Sequence, residues 1–174
     1  MRQQRGPGGS ERDRQFRDFV AERRGHLLRT ARLLTGGDPH LAEDLVQAAL
    51  TKLYVSWSAF LRADNPEAYV RRVLVNALTD ERRRIWRRFE RSVPDLPDHP
   101  GADSTAMGDP ELADALRQLP PKMRAAVVFR FFHQLDVAET AEALGVTTGT
   151  VKSQTARALD KLRSILNATP QGVN

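Results

Sequence analysis

DVAETAEALGVTTGTVKSQTARALDKLRSIL, residues 136–166, is the stretch from which the fold can be read. Asp136 and Glu139 have the spacing of a capping box, with Asp in place of the usual Ser or Thr. Ala141 falls where two crossing helices meet, and only a small side chain lets their backbones come close. Gly145 stands where the first helix must turn, a position that wants positive φ. Val146 and Val151 are set to wedge beneath the turn, and Thr147 is set to cap the next helix. That helix then buries Val151, Ala158, Leu162 and Ile165. The spacing predicts a helix-turn-helix.

Its other face offers Lys152, Ser153, Gln154, Arg157 and Lys161 to solvent. Lys and Arg can donate to guanine edges or phosphates, and Gln can pair with adenine through two bonds, so this face suits the major groove. A plain helical hairpin with a solvated polar face has the same spacing, and both readings stand at this point.

Working back towards the N-terminus, Pro120-Pro121 separates a helix through Ala125–Phe132 from one opened by Asp109-Pro110 with Leu112, Leu116 and Leu119 on one face. Residues 93–110, VPDLPDHPGADSTAMGDP, hold four prolines, two glycines, four Asp and no basic residue. That composition is a linker, and a domain boundary falls in it. Upstream, Asn65-Pro66 and Asp38-Pro39 are cap-plus-proline helix starts. The helix after Asn65 buries Tyr69, Val70, Val73, Leu74, Ala77 and Leu78. The helix after Asp38 buries Ala42, Leu45, Val46, Ala49, Leu50, Leu53 and Tyr54. A first helix runs from about Arg14 to Leu34 and stops at Gly36-Gly37, with Phe16, Phe19, Val20, Leu27, Ala31 and Leu34 on one face. No segment alternates like a strand. The expected fold is all-α, two small helical domains joined by a flexible linker. The expected divisions are a disordered leader 1–13, a helical domain 14–92, the acidic linker 93–110, a helix-turn-helix domain 111–167 and a disordered tail 168–174.

Charge is segregated along the same divisions. The chain carries +5 overall, yet residues 1–92 hold 19 Lys and Arg against 12 Asp and Glu, and residues 111–174 hold 8 against 6. A basic body, an acidic strip and a mildly basic end suggest modules with separate surfaces. The densest cluster is RRRIWRRFER, residues 82–91, with six arginines around Ile85, Trp86 and Phe89. So many like charges repel one another unless a polyanion is present, which points the arginines at nucleic acid. The aromatics fit a core face better than base stacking, and Trp57 and Phe60 are read likewise as core or loop anchors.

Several classes are excluded. The absence of cysteine rules out disulfides and thiolate metal sites, and it suits the cytoplasm. No apolar run approaches the ~20 residues of a membrane span. The N-terminus has arginines but no apolar segment behind them, so it is not a secretory signal. His26, His40, His99 and His133 are scattered, with no second ligand at metal-binding spacing. Glu43 and Asp44 point about 100° apart on a helix. There is no phosphate loop and no nucleophile elbow. Neither an enzyme nor a cofactor or metal protein is expected.

AEDLVQAALTKLYVSW (42–57), NPEAYVRRVLVNALTDERRR (65–84) and LPPKMRAAVVFRFFHQLDVAETAEALGVTTGTVKSQTARALDKLR (119–163) together resemble the short sigma factors of the extracytoplasmic-function group, especially those of actinobacteria. The resemblance covers nearly the whole chain outside leader, linker and tail. It implies a subunit that binds core RNA polymerase, through the β′ clamp and the β flap, and directs it to promoter DNA. It implies that Asp44, Gln47, Leu50, Lys52 and Leu53 lie on or beside the clamp-binding surface. Phe60, Arg62, Asn65, Asn76, Asp80, Arg83, Arg84 and Arg87 match positions facing the −10 element, the loop Phe60–Asn65 corresponding to a segment that captures a flipped base. Thr150, Lys152, Ser153, Gln154, Arg157 and Lys161 match positions facing the −35 element. An anti-sigma partner is a further implication. The sequence departs from the pattern at Ala48-Ala49, where many relatives carry an acidic residue, and at Gln154, where some carry arginine. The competing readings are a stand-alone helix-turn-helix regulator and a protein-binding adaptor. The regulator leaves Asp44, Gln47 and the basic helix without a task, and the adaptor uses its helical faces to bind proteins alone, with the arginines as a solubilising surface.

Overall fold

The computed structural model describes residues 7–91 and 109–168, and every described element is helical. Four helices form the N-terminal half: α1 (Pro7–Leu34), α2 (Pro39–Val55), α3 (Trp57–Leu61) and α4 (Pro66–Arg91). The C-terminal half holds α5 (Pro110–Gln118), α6 (Pro121–Val127), α7 (Val137–Leu144) and α8 (Thr148–Ala168). Between α6 and α7 the chain runs on through a π turn, Val128–Phe132.

The local signals act as their chemistry requires. Asp38 Oδ1 accepts from Leu41 N at 2.9 Å and starts α2, and Asn65 Oδ1 accepts from Ala68 N at 3.0 Å and starts α4. Asp109 caps α5 in the same way. Each side chain satisfies an N–H that the first helical turn leaves without a partner. α1 begins a turn or two before Arg14: residues 7–13, expected in the leader, are helical. There Arg12 donates to the Tyr54 carbonyl, and Tyr54 Oη donates to Asp13 Oδ1 at 2.6 Å.

In the N-terminal half α2 packs between α1 and α4, and its small and branched residues Ala42, Leu45, Val46 and Ala49 meet Leu27, Ala31, Leu34, Leu74 and Ala77. Beside this lies an aromatic box. Trp57 stacks on Phe60 with ring centres 4.8 Å apart, and Phe16 and Phe19 meet Trp57 edge-on. In the C-terminal half Ala115, Leu116, Leu119 and Val127 close against Ala158 and Leu162 of α8.

The charge pattern suggests separate modules, but the two halves share a core. Val128, Phe129, Leu135 and Ala143 of the C-terminal half are buried in the same cluster as Leu27, Leu45 and Leu74, with α7 lying on α4 and α6 on α1. Charge reports on surfaces, and the apolar faces of α1 and α4 are wide enough to take a third layer.

Candidate nucleic-acid interface

Geometry first settles the helix-turn-helix. Asp136 Oδ1 accepts from Glu139 N at 2.8 Å, and Glu139 Oε2 accepts from Asp136 N at 2.9 Å, which completes a capping box. Gly145 sits at φ 66°, ψ 38°, and Val146 N donates back to the Ala141 carbonyl at 3.0 Å. That is a glycine-terminated helix end of the Schellman type. Thr147 Oγ1 accepts from Thr150 N at 3.2 Å and starts α8. Val151, Ala158 and Leu162 face inward. Val146 differs from expectation: it is 40% exposed at the turn, and Val151 alone forms the wedge.

On the outer side of α8, Lys152, Ser153, Arg157 and Lys161 are exposed, while Thr150 and Gln154 are half-buried. Ser153 Oγ donates to the Thr150 carbonyl at 3.0 Å, so its hydroxyl proton is used within the helix. Three cations spaced along one exposed face can follow a phosphate backbone, with Gln154 at the edge of the same surface.

On α4, Asn76, Asp80, Arg83 and Arg84 are exposed and recur at three- and four-residue spacing, so they form one stripe. Arg82 is exposed beside them. Arg84 also pairs with Glu81 at 2.7 Å. The backbone of Arg87 belongs to α4, but its side chain lies outside the described residues, as do those of Ile85, Trp86 and Phe89. Arg62 is exposed after α3. Asn65 is exposed too, with its side-chain oxygen engaged in capping α4. Phe60 carries two expectations, and the structure matches the core anchor rather than the base-capturing loop: it lies in α3 with 8% exposure, enclosed by Trp57, Phe19 and Tyr69. A flat ring in an aromatic box gains more from burial than from water.

On α2, Asp44, Gln47 and Lys52 are exposed along the helix. Leu50 and Leu53, with exposures of 7% and 2%, are buried as their periodicity predicts: they face α1, α3 and α4 and lie beneath that surface, not on it. Lys52 Nζ donates to Asp80 Oδ2, which ties the α2 surface to the α4 stripe. Among the described residues no group of three or more His, Asp or Glu is placed to hold a metal, and no helix is long and apolar enough to cross a membrane.

Sequence reading missed the residues at the junction of the halves. Arg124 has 9% exposure and donates to four carbonyls, those of Leu34, Leu116, Arg117 and Leu119. Burial, with Arg82 and Arg117 nearby, brings its guanidinium down to about 10. His133 meets His26 edge-on at 5.6 Å and shares a 3.1 Å hydrogen bond with Thr30 Oγ1. Burial first, then His26 and Arg71, lower its proton affinity, with Glu67 opposing. The available signal was an arginine within an apolar helix face, which is rarely buried without a full set of acceptors.

Residues 19–88 match the family model "Sigma-70 region 2", and residues 110–162 match "Sigma-70, region 4". The RNA polymerase sigma-E factor of Streptomyces coelicolor is 41% identical over 159 residues, spanning 88% of this chain and 87% of that protein. The ECF RNA polymerase sigma factor SigM of Mycobacterium tuberculosis is 33% identical, spanning 93% and 83%. In fold, the chain is similar to the sigma factor RpoE from Bartonella quintana, solved in complex with the anti-sigma factor NepR. The TM-score is 0.69 at 23% identity, over 89% of this chain and 98% of that one.

Proposed function

The chain belongs to the sigma-70 family of RNA polymerase sigma factors, within the ECF group, and from that premise we propose a division of labour among its surfaces. It is a sigma factor: it joins core RNA polymerase, directs it to promoters and takes part in transcription initiation. A stand-alone regulator is set aside, because region 2 accompanies region 4 in one chain.

In this reading Asp44, Gln47 and Lys52 on α2 meet the polymerase clamp. The α4 stripe of Asn76, Asp80, Arg83 and Arg84, with Arg62 and Asn65 at its head and Arg87 further along, faces the −10 element. Lys152, Gln154 and Arg157 on α8 face the −35 element, with Thr150, Ser153 and Lys161 at its borders. The residues divide as a −10 and −35 domain, 14–92 and 111–167, joined through 93–110. Polymerase makes every bond, so this chain needs no catalytic group, and it works in the cytoplasm beside that enzyme. An anti-sigma protein that covers the α2 surface would hold it off polymerase.

The physics of the assembly is cooperative. Each reading surface is a single helix face with its immediate borders, too small for tight binding alone. Tethering both to one polymerase makes the second contact intramolecular and multiplies the affinities. The observation that carries the reading is the exposed cationic face of α8 behind a completed helix-turn-helix, in one chain with the exposed arginines of α4.

The test is transcription from fragmented genomic DNA by purified core polymerase with and without the chain, followed by sequencing of RNA 5′ ends. Discrete new start sites that share two spaced motifs are expected. Core enzyme that neither binds the chain nor gains defined start sites overturns the reading.

A further inference from the structure

Arg12 and Asp13 precede residues 19–88, which match region 2, and sequence reading leaves them in a leader. In the structure they belong to α1, and both grip one residue of α2, Tyr54. Arg12 Nη2 donates to the Tyr54 carbonyl, while its Cζ lies 4.8 Å from the centre of the Tyr54 ring. Tyr54 Oη donates to Asp13 Oδ1 at 2.6 Å. Phe16, one turn further along the same face of α1, meets Tyr54 edge-on at 5.0 Å and Trp57 edge-on at 5.2 Å. Tyr54 is thus held at its carbonyl, its ring and its hydroxyl.

The grip sits where the chain has little else to fix its direction. The Tyr54 carbonyl belongs to the last turn of α2, at the negative end of the helix dipole, so a guanidinium is a fitting cap. After Val55 the chain turns at Ser56 into α3, which has five residues. A helix so short has no stability of its own. Ser56 gives it no side-chain cap: the hydroxyl turns back to donate to the Lys52 carbonyl at 2.9 Å. The direction of α3 comes from Trp57 and Phe60 in the aromatic box and from the hold on Tyr54. Arg62 ends α3, and Asn65 then starts α4. The angle at this corner sets where Arg62 and Asn65 stand relative to Asn76 and Arg83. Arg12 keeps its place although its Nε is buried with no hydrogen-bond partner among the described residues. Such an unmet donor in an otherwise satisfied structure needs a reason.

We propose that Arg12, with Asp13 and Tyr54, is a positioning device for promoter opening, fixing the α2–α3 corner so that Arg62 and Asn65 meet the −10 strand in register with α4. The role in opening rests on the function proposed above, whereas the grip is a property of the free chain. Neither Arg12 nor Asp13 is among the residues placed on the polymerase, −10 or −35 surfaces.

Two measurements on the full-length chain test it. Within the corner the amides of Ala59, Phe60, Arg62 and Ala63 donate to the carbonyls of Ser56, Ala59 and Phe60. In the free protein, hydrogen exchange at these four amides, read by nuclear magnetic resonance, should speed up about tenfold in Arg12→Ala, with α8 unchanged. Tyr54→Phe keeps the ring beneath Arg12 and loses the bond to Asp13, so exchange there should rise about threefold. The second measurement uses core polymerase and the strongest start site from the transcription assay. Arg12→Ala should bind polymerase within about twofold of wild type and lower the open-complex fraction about tenfold, because a loosened support misplaces the contacts it carries. Permanganate reactivity of unpaired thymines around the start site reads that fraction. Polymerase affinity that falls in step with open complexes makes Arg12 a general stabiliser and overturns the proposal. Unchanged exchange at the corner does so too, as do normal open complexes in a variant whose corner exchanges faster. If circular dichroism shows that Arg12→Ala loses helix, Tyr54→Phe decides by the same two readings. Wild type that gives no start site overturns the proposed function itself, and exchange still decides the grip.

Discussion

Trp57 and Phe129 are both nearly inaccessible, at 3% and 0% exposure, yet different halves bury them. Trp57 is enclosed by Phe16, Phe19 and Phe60, all from its own N-terminal half. Phe129 leaves the C-terminal half and enters the cluster of Leu27, Leu34 and Leu45. The N-terminal half thus closes its aromatic box with its own side chains, while its main cluster is completed by the C-terminal half. The C-terminal half keeps a small cluster of Ala115, Leu116, Leu119, Val127, Ala158 and Leu162 and lends its largest ring to its neighbour. Parting the halves would uncover Val128, Phe129 and Leu135 on one side and their partners around Leu27, Leu45 and Leu74 on the other, with the aromatic box untouched. Those side chains then need another apolar cover, and a polymerase surface can supply it.

The difference breaks most readily at Phe129. Phe129→Ala removes a fully buried ring that bridges the halves, at a cost of about 3–5 kcal/mol. In a Trp86→Phe background Trp57 is the sole tryptophan, and its fluorescence reports the aromatic box of the N-terminal half. In urea, circular dichroism should show the C-terminal helices melting at much lower denaturant while the fluorescence midpoint moves far less. If both signals shift together in one step, the halves are a single cooperative unit and the comparison fails.

A smaller change sharpens it. Asp136→Ala removes one side of the capping box on α7, a contact entirely within the helix-turn-helix. The cost is about 1 kcal/mol, confined to the C-terminal half. The circular dichroism midpoint should fall slightly with fluorescence unmoved. A matching fall in fluorescence means that α7 is also a support for α4.

What the sequence made legible follows the same division. Helix starts at Asp38, Asn65 and Asp136 and the stop at Gly145 are local chemistry, readable from a few adjacent residues. The exposed cations of α8 follow from periodicity alone. The burial of Leu50 and Leu53 was legible too, from their three- and four-residue spacing with Leu45, Val46 and Ala49, whereas family likeness names a surface helix without saying which of its residues turn inward. The contacts of Arg124, Arg72 and His133 were invisible for another reason. They join residues 70 to 103 positions apart, and no local pattern encodes which helix end an arginine will find.

His133 gives the finest probe of the junction. It lies between α1 and α4, facing His26 and Thr30 on the first and Arg71 and Glu67 on the second, with Phe129 on its own turn. The Thr30 hydroxyl donates to the His26 carbonyl at 3.2 Å, which leaves its lone pair for the Nε2–H tautomer of neutral His133. Burial and the neighbouring cations lower the imidazole's proton affinity in the folded chain below its ordinary value of 6.5. The folded chain therefore binds fewer protons than the unfolded one, and its stability rises with pH. The contribution is whole above the unfolded value and is lost as pH falls from there towards the depressed folded value. Moving from pH 8 to pH 5.5 should lower the urea midpoint read by circular dichroism, by less than Phe129→Ala does, because a half-buried imidazole is partly screened by water. His133→Gln should flatten that dependence without unfolding the chain at pH 8. A pH response that survives the substitution, or a fold that strengthens in acid, removes His133 from the junction's energetics.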